Sequence, residues 1–199
     1  MPPGRQVTAA LPQDLSPKRR KELARALQSD LRGEVRFDAG SRALYSVDAS
    51  NYRHLPVGVV LPKTEADVIA AVAIGRDFGV AVLPRGGGTS LAGQTCNVAL
   101  VLDFSKYMRN VLDLDPKART ARVQPGIVLD TLRTAAESHQ LTFGPDPSTH
   151  DRCTLGGMIG NNSCGVHSVM AGLTSANVER LRVLTYDGLI MDVDRKSVV

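Results

Sequence analysis

The sequence predicts an α+β fold built from two small α/β subdomains with mixed sheets, and three observations carry that expectation. A strand–helix–strand unit occupies residues 56–83, where "PVGVVLP" and "VAVL" flank the helical "KTEADVIAAVAIGRDFG". A second helical pattern follows later, with Leu129, Leu132 and Ala136 on one face. Near the end, "VERLRVLTYDGLIMDVD" reads as two β runs around Asp187–Gly188, the strongest short hairpin signal in the chain.

In chain order, residues 1 to about 15 are Pro-rich and patternless and read as a loose tail. A helix starts at Ser16, which can cap, with Pro17 at the first helical position and Leu23, Leu27 and Leu31 repeating before Gly33. "EVRFDAG" reads as a partial strand or turn. Thr64 and Asp67 resemble a capping box at the start of the crossover helix, which Gly79 ends. The two strands of this unit are expected to be parallel neighbours. "VALVLDF" and "TARV" supply further strands, and Pro125–Gly126 breaks the latter before a helix from about Ile127 to His139. Residues 141–165 form a large loop dense in Gly, Pro, Asn and Ser. The closing "RKSVV" carries no terminating signal, so the chain is expected to be cut from a longer one.

Composition narrows the function. The 199 residues can bury a core of one domain, or of one larger and one smaller piece. No apolar run approaches the ~18 residues of a membrane helix, and the N-terminus lacks the apolar core of a signal peptide, so cytoplasm is expected. A net charge of +4 suits an anionic ligand. With four Tyr, four Phe and no Trp, little is available for stacking on single strands, and no nucleic-acid partner is expected. The run Lys18–Lys21 reads as a solvated first helical turn. Cys96, Cys153 and Cys164 make an odd count without a C-x-x-C pair, which argues against a disulfide framework or a metal site and fits a reducing compartment.

The chemistry sits in "PRGGGTSLAGQT", residues 84–95. Gly86, Gly87 and Gly88 can present amides with no Cβ in the way, and Thr89 and Ser90 add hydroxyl donors. Such a nest suits a phosphate; the plainer reading is a turn between strands. It is not a P-loop, because Gly88, Gly93 and Thr95 are correctly spaced but Gln94 stands where the lysine must be. It is not a Rossmann turn either, because Leu91 replaces the third glycine. The second stretch, "TLGGMIGNNSCG", repeats this chemistry with small residues, free amides and the donors and acceptors of Asn161 and Asn162. Two such stretches could line an elongated ligand carrying a pyrophosphate, the shape of FAD.

In order, "PRGGGTSLAGQ", "VQPG", "FGPDPS", "TLGGMIGNNSCGVHSVMAGLT" and "NVERLRVLTYDG" resemble the FAD-binding (PCMH-type) domain of the vanillyl-alcohol oxidase / para-cresol methylhydroxylase superfamily. Within it the chain is most similar to the branch of the D-lactate and D-2-hydroxyglutarate dehydrogenases and the flavin-carrying component of glycolate oxidase. The resemblance divides the chain into a flexible tail (1–15), a helical lead (16–44) and the FAD-binding domain (45–199), with FAD between two subdomains and the substrate cap absent. It implies that Arg85, Gly86, Gly87, Gly88, Thr89 and Ser90 hold the pyrophosphate, with Gly93 and Gln94 shaping the loop's exit. It further implies that Pro145, Thr154, Gly156, Gly157, Asn161, Asn162 and Gly165 line the ribityl chain and flavin, and that Ile190 meets the adenine through its backbone. Some relatives attach FAD covalently through a His after the first glycine run, where this sequence has Thr89, or through a Cys before the second, where Cys153 is one residue out of register. Noncovalent FAD is therefore expected.

The implied function is oxidation of a 2-hydroxy acid of the D-lactate, glycolate or D-2-hydroxyglutarate type, with hydride passing to flavin N5. Electrons would leave to a quinone, a carrier protein or an iron–sulfur domain. The catalytic His and carboxylate-binding Arg of relatives lie beyond this chain, so no catalytic residue and no metal ligand is assigned. His167 could face the flavin or a substrate carboxylate, or be an ordinary loop histidine. Arg85 could be an anion clamp or merely pack its stem. Two alternatives stay open: a stand-alone FAD module passing electrons within a complex, and a nucleotide-binding protein without enzymatic activity.

Overall fold

The computed structural model describes residues 15–194, so the expectations for residues 1–14 and 195–199 lie outside it. The Ser16 side chain caps α1 (Pro17–Asp30), accepting from the Arg19 amide, and Pro17 occupies a first-turn position where no amide is needed. Leu23 and Leu27 are fully buried and Leu31 nearly so, which confirms the four-residue stripe. β1 (Glu34–Arg36) and α2 (Ala39–Leu44) follow, α2 being capped by Asp38, whose Oδ1 accepts from the Ser41 amide at 2.8 Å.

The crossover unit consists of β2 (Gly58–Leu61), α3 (Glu65–Asp77) and β3 (Val82–Arg85). The capping box forms in full between Thr64 and Asp67. Asp67 is buried, which pushes its carboxyl up. Amides of Arg32, Lys63 and Thr64, at 2.8–3.1 Å, outweigh that and hold it below its ordinary value.

With β4 (Leu100–Asp103), the sheet order is β1-β2-β4-β3, parallel except for β1. This corrects one expectation: β2 and β3 are parallel but not neighbours, because β4 lies between them. The cause is Pro84, which has no amide to donate and confines β3 to an edge, whereas β2 and β4 are buried along their whole length, as central parallel strands are. One sheet face packs on Leu23, Leu27, Ala71 and Val72. The other, through Val59, Leu61, Leu83 and Val101, lies under Tyr45 and Tyr107.

The second unit contains β5 (Val111–Asp115) paired antiparallel with β6 (Thr120–Val123), then α4 (Leu129–Glu137), which buries the expected Leu129, Leu132 and Ala136. Next come α5 (Leu155–Asn161), the single turn α6 (Ser168–Ala171) and a 3-10 turn at Thr174–Asn177. The chain closes with the antiparallel pair β7 (Arg180–Leu184) and β8 (Ile190–Asp194). Gly188, at φ +95°, makes the turn between them, as Asp187–Gly188 foretold. That hairpin is tied back to the first unit: Tyr186 Oη donates to Val80 O at 2.9 Å, and Arg182 Nε meets Glu65 at 2.9 Å. Among the described residues no helix is long and apolar enough to cross a membrane.

α5 corrects a second expectation. "LGGMIGN" is helical rather than loop because Thr154 caps it and Leu155 and Met158, three residues apart, bury against Ile127 and Leu129.

Candidate cofactor site

A continuous cleft runs between the two units, walled on one side by residues 82–92 and on the other by residues 152–164 and β7. Each wall owes its shape to close packing. A Cβ on Gly86 would lie 1.9 Å from Thr154 Oγ1, and one on Gly87 would lie 2.3 Å from Arg152 O. These glycines let the first loop slide beneath the segment that starts α5. Gly88 takes φ +66°, which glycine adopts without strain.

What the loop offers a ligand is its backbone. Among the described residues, no group accepts a hydrogen bond from the amides of Gly87, Gly88, Thr89 or Ser90. Bare amides on a glycine turn can form an anion nest. Ser90 Oγ accepts from the amides of Ala92 and Gln94, leaving its proton to donate. The nearby Arg152 is paired with Asp151 at 2.9 Å through both lobes, so positive character at this end comes from the amides.

The second wall differs. The Leu155 amide donates to Ile127 O at 2.9 Å, that of Gly156 to Pro125 O at 2.8 Å and that of Gly157 to Thr154 Oγ1 at 3.4 Å. The expectation of free amides there is overturned: a helix docked on Pro125–Ile127 has used them. In their place stands a side-chain-free face. Nothing lies within 4 Å of where a Gly160 Cβ would be, and only Thr154 Oγ1 at 3.3 Å is near that of Gly157. The protein's own packing does not demand glycine at these positions. An anion nest facing a smooth helix surface fits a long molecule with a diphosphate at one end and a planar ring at the other.

The structure brings Arg85–Ser90, Gln94, Thr154, Gly156, Gly157, Asn161, Asn162 and Ile190 onto the cleft. Gln94 Nε2 reaches Asn161 Oδ1 across it at 3.4 Å. The Asn162 side-chain carbonyl is taken by the Ser175 amide at 2.9 Å, and its backbone, at φ +46°, ends α5. Gly93, Pro145 and Gly165 stand behind the walls: Gly93 on Tyr52, Gly165 on the Asp146 carbonyl, and Pro145 buried with its carbonyl bound by Arg133.

Cys153 is buried and its burial pushes the thiol up, an inert state. His167 Nδ1 sits 2.5 Å from Asp146 Oδ2, and the His167 amide donates to Oδ1 at 2.9 Å, bonds that hold the Asp146 carboxyl below its ordinary value. The exposed His167 ring is thus tied to Asp146 and is not among the residues that line the cleft.

Sequence reasoning missed the segment 45–50, which underlies the first loop. Asp48 lines the cleft, accepts from the Thr95 amide and Oγ1 at 3.3 and 3.0 Å, and accepts from Ser50 N at 2.9 Å. Burial pushes its carboxyl up, but these bonds keep it below the ordinary value. The Asp-x-Ser spacing of an Asx turn was its only signal.

Comparison with known proteins places this geometry. Residues 56–194 match the model of the family described as FAD binding domain. D-2-hydroxyglutarate dehydrogenase of Haemophilus influenzae is 36% identical over 163 residues, 80% of this chain and 16% of that protein. Glycolate oxidase subunit GlcD of Bacillus subtilis is 38% identical over 165 residues, 80% of this chain and 35% of that protein. The chain thus spans about a sixth to a third of the length of these relatives. Among solved structures, alkyldihydroxyacetonephosphate synthase superposes with a TM-score of 0.78 at 22% identity, over 96% of this chain and 40% of that one. 6-Hydroxy-D-nicotine oxidase from Arthrobacter nicotinovorans gives 0.73 at 22% identity, over 84% and 37%. At that identity the likeness is one of fold, and it confirms the fold class.

Proposed function

The chain belongs to the FAD binding domain family, and from that premise we propose that it is the cofactor-holding part of a flavin-dependent oxidoreductase that oxidises a small 2-hydroxy acid. The observation that carries the reading is the row of uncommitted amides at Gly87–Ser90 facing the bare Gly157–Gly160 surface across one cleft. The named activities of the 36–38% identical relatives supply the substrate class.

In this reading bound FAD supplies the acceptor for a hydride from the substrate's Cα. The chain's own residues bind and orient. The amides of Gly87–Ser90 and the Thr89 and Ser90 hydroxyls donate to the pyrophosphate oxygens. Gly157 and Gly160 let the flat part of the cofactor lie against α5, and Gln94 and Asn161 close the cleft between them. Ile190 at the start of β8, 40% exposed, borders the adenine end. Attachment is noncovalent: Thr89 offers no imidazole, and the Cys153 thiol is packed among Ile127, Leu129 and Leu132. Electrons leave to a quinone, a carrier protein or an iron–sulfur domain. Three free thiols, one of them exposed, fit a reducing location such as the cytoplasm.

The test is direct. The purified chain is titrated with FAD, following quenching of flavin fluorescence, and then precipitated with acid. Saturable quenching with all flavin recovered in the supernatant is expected, and 2-hydroxy acid turnover by these 199 residues alone is expected to be slight. Absence of binding, or yellow colour remaining in the pellet, contradicts the proposal.

A further inference from the structure

We infer that Arg85 and Asp48, side chains of opposite charge, are both positioning residues for anion binding: neither touches the anion, and together they hold the Gly87–Ser90 amides convergent. This rests on the reading that the loop holds the FAD pyrophosphate and deepens it.

The Arg85 guanidinium lies under the loop rather than over it. Nη1 donates to Thr95 O at 2.8 Å and reaches Tyr45 O at 3.5 Å, while Nη2 donates to Val47 O at 2.9 Å. The group stacks on the Tyr45 ring at 5.3 Å. A Cβ on Gly88 would fall 2.6 Å from Nη2, so guanidinium and glycine fit against each other. One planar fork thereby ties the loop's far end, at Thr95, to the stretch of chain beneath it, at residues 45–47. A point-charge ammonium has no such fork.

Asp48 fastens the same two places. Its Oδ2 holds the Thr95 amide and hydroxyl, its Oδ1 holds Ser50, and the next amide, Ala49, donates to Gly88 O at 3.1 Å. Tyr45 Oη donates to the buried Asp103 at the end of β4, anchoring this frame to the sheet. By Coulomb's law alone a carboxylate on the cleft wall repels a diphosphate. Its presence is intelligible only through the geometry it fixes.

The opposite signs make the test sharp. FAD affinity of the folded chain is measured for Arg85→Lys and Asp48→Asn, together with backbone order parameters. Arg85→Lys keeps the charge but loses the fork, and FAD affinity is expected to fall roughly 10- to 100-fold. Order parameters of residues 87–90 are expected to fall from the rigid ~0.85 to below ~0.6, those of β2 and β4 remaining unchanged. Asp48→Asn removes a negative charge yet is expected to weaken FAD, roughly 3- to 30-fold. Tighter binding by Asp48→Asn overturns the inference, as does Arg85→Lys binding like the unaltered chain. Weakened binding with an unmoved loop also overturns it, since Arg85 is then a direct ligand. Loss of order spreading through β2 and β4 overturns it too, as a general folding role. An unaltered chain that fails to bind FAD sinks the underlying reading, and this inference with it, before any variant is made.

Discussion

Residues 86–90 and 155–161 are both rich in glycine and face each other across one cleft, yet they have opposite characters. The first is irregular, with amides that no other described part of the chain uses from Gly87 to Ser90. The second is a capped helix whose first amides are consumed by Pro125, Ile127 and Thr154. Glycine content did not separate them; the apolar residues did. Leu155 and Met158 fall three apart and find a core, which offsets the entropy lost in forming the helix. No apolar side chain lies within Gly86–Ser90, so that stretch is shaped only by what lies above and below it.

The contact between the two regions is the most sensitive point. Gly86→Ala places a methyl group on Thr154 Oγ1, and a loss of roughly 2–3 kcal/mol is expected by thermal or urea unfolding, with FAD binding lost. Thr154→Ala removes the α5 cap and should cost ~1 kcal/mol. In that background the Gly86→Ala penalty should shrink, because the nearest clashing atom is gone; equal penalties in both backgrounds would show that the regions do not touch. Gly160→Ala should do the reverse on its own. Its Cβ enters open space on a helix, so the unliganded protein gains roughly 0.5–1 kcal/mol while FAD affinity drops.

The mildest test uses acid. Glu34 in β1 is held at about 2 by Lys106, then Tyr107 and Arg36. Because its folded value lies below the ordinary 4.5, its contribution is whole above that pH and drains away as pH falls toward 2. Acid should therefore loosen the β1 edge before α5, and Glu34→Gln should flatten that part of the pH–stability curve.

Much of this was legible. Leu23, Leu27 and Leu31, the Thr64–Asp67 capping box, the α4 face and the Asp187–Gly188 turn all stand as the sequence implied, because each is a local signal whose physics is complete within a few residues. Strand order was not, although Pro84 carried it: neighbour relations depend on partners far along the chain, and only the missing amide of a proline marks an edge. The segment 45–50 was opaque for a related reason. Asp48 and Tyr45 matter through Thr95, Arg85 and Asp103, some 40 to 60 residues away, and no periodicity records such contacts. At the second wall the glycines were visible, but their meaning changed once the helix took up the amides.

The central claim is that anion recognition belongs to the first glycine run alone. Amide chemical shifts followed by nuclear magnetic resonance during titration with FAD, and with ADP as its diphosphate half, test it most directly. Large downfield shifts are expected at Gly87, Gly88, Thr89 and Ser90 with both ligands, and upfield ring-current shifts at Gly157 and Gly160 with FAD only. Shifts led by Leu155 and Gly156 under ADP, with residues 87–90 unmoved, would contradict the account.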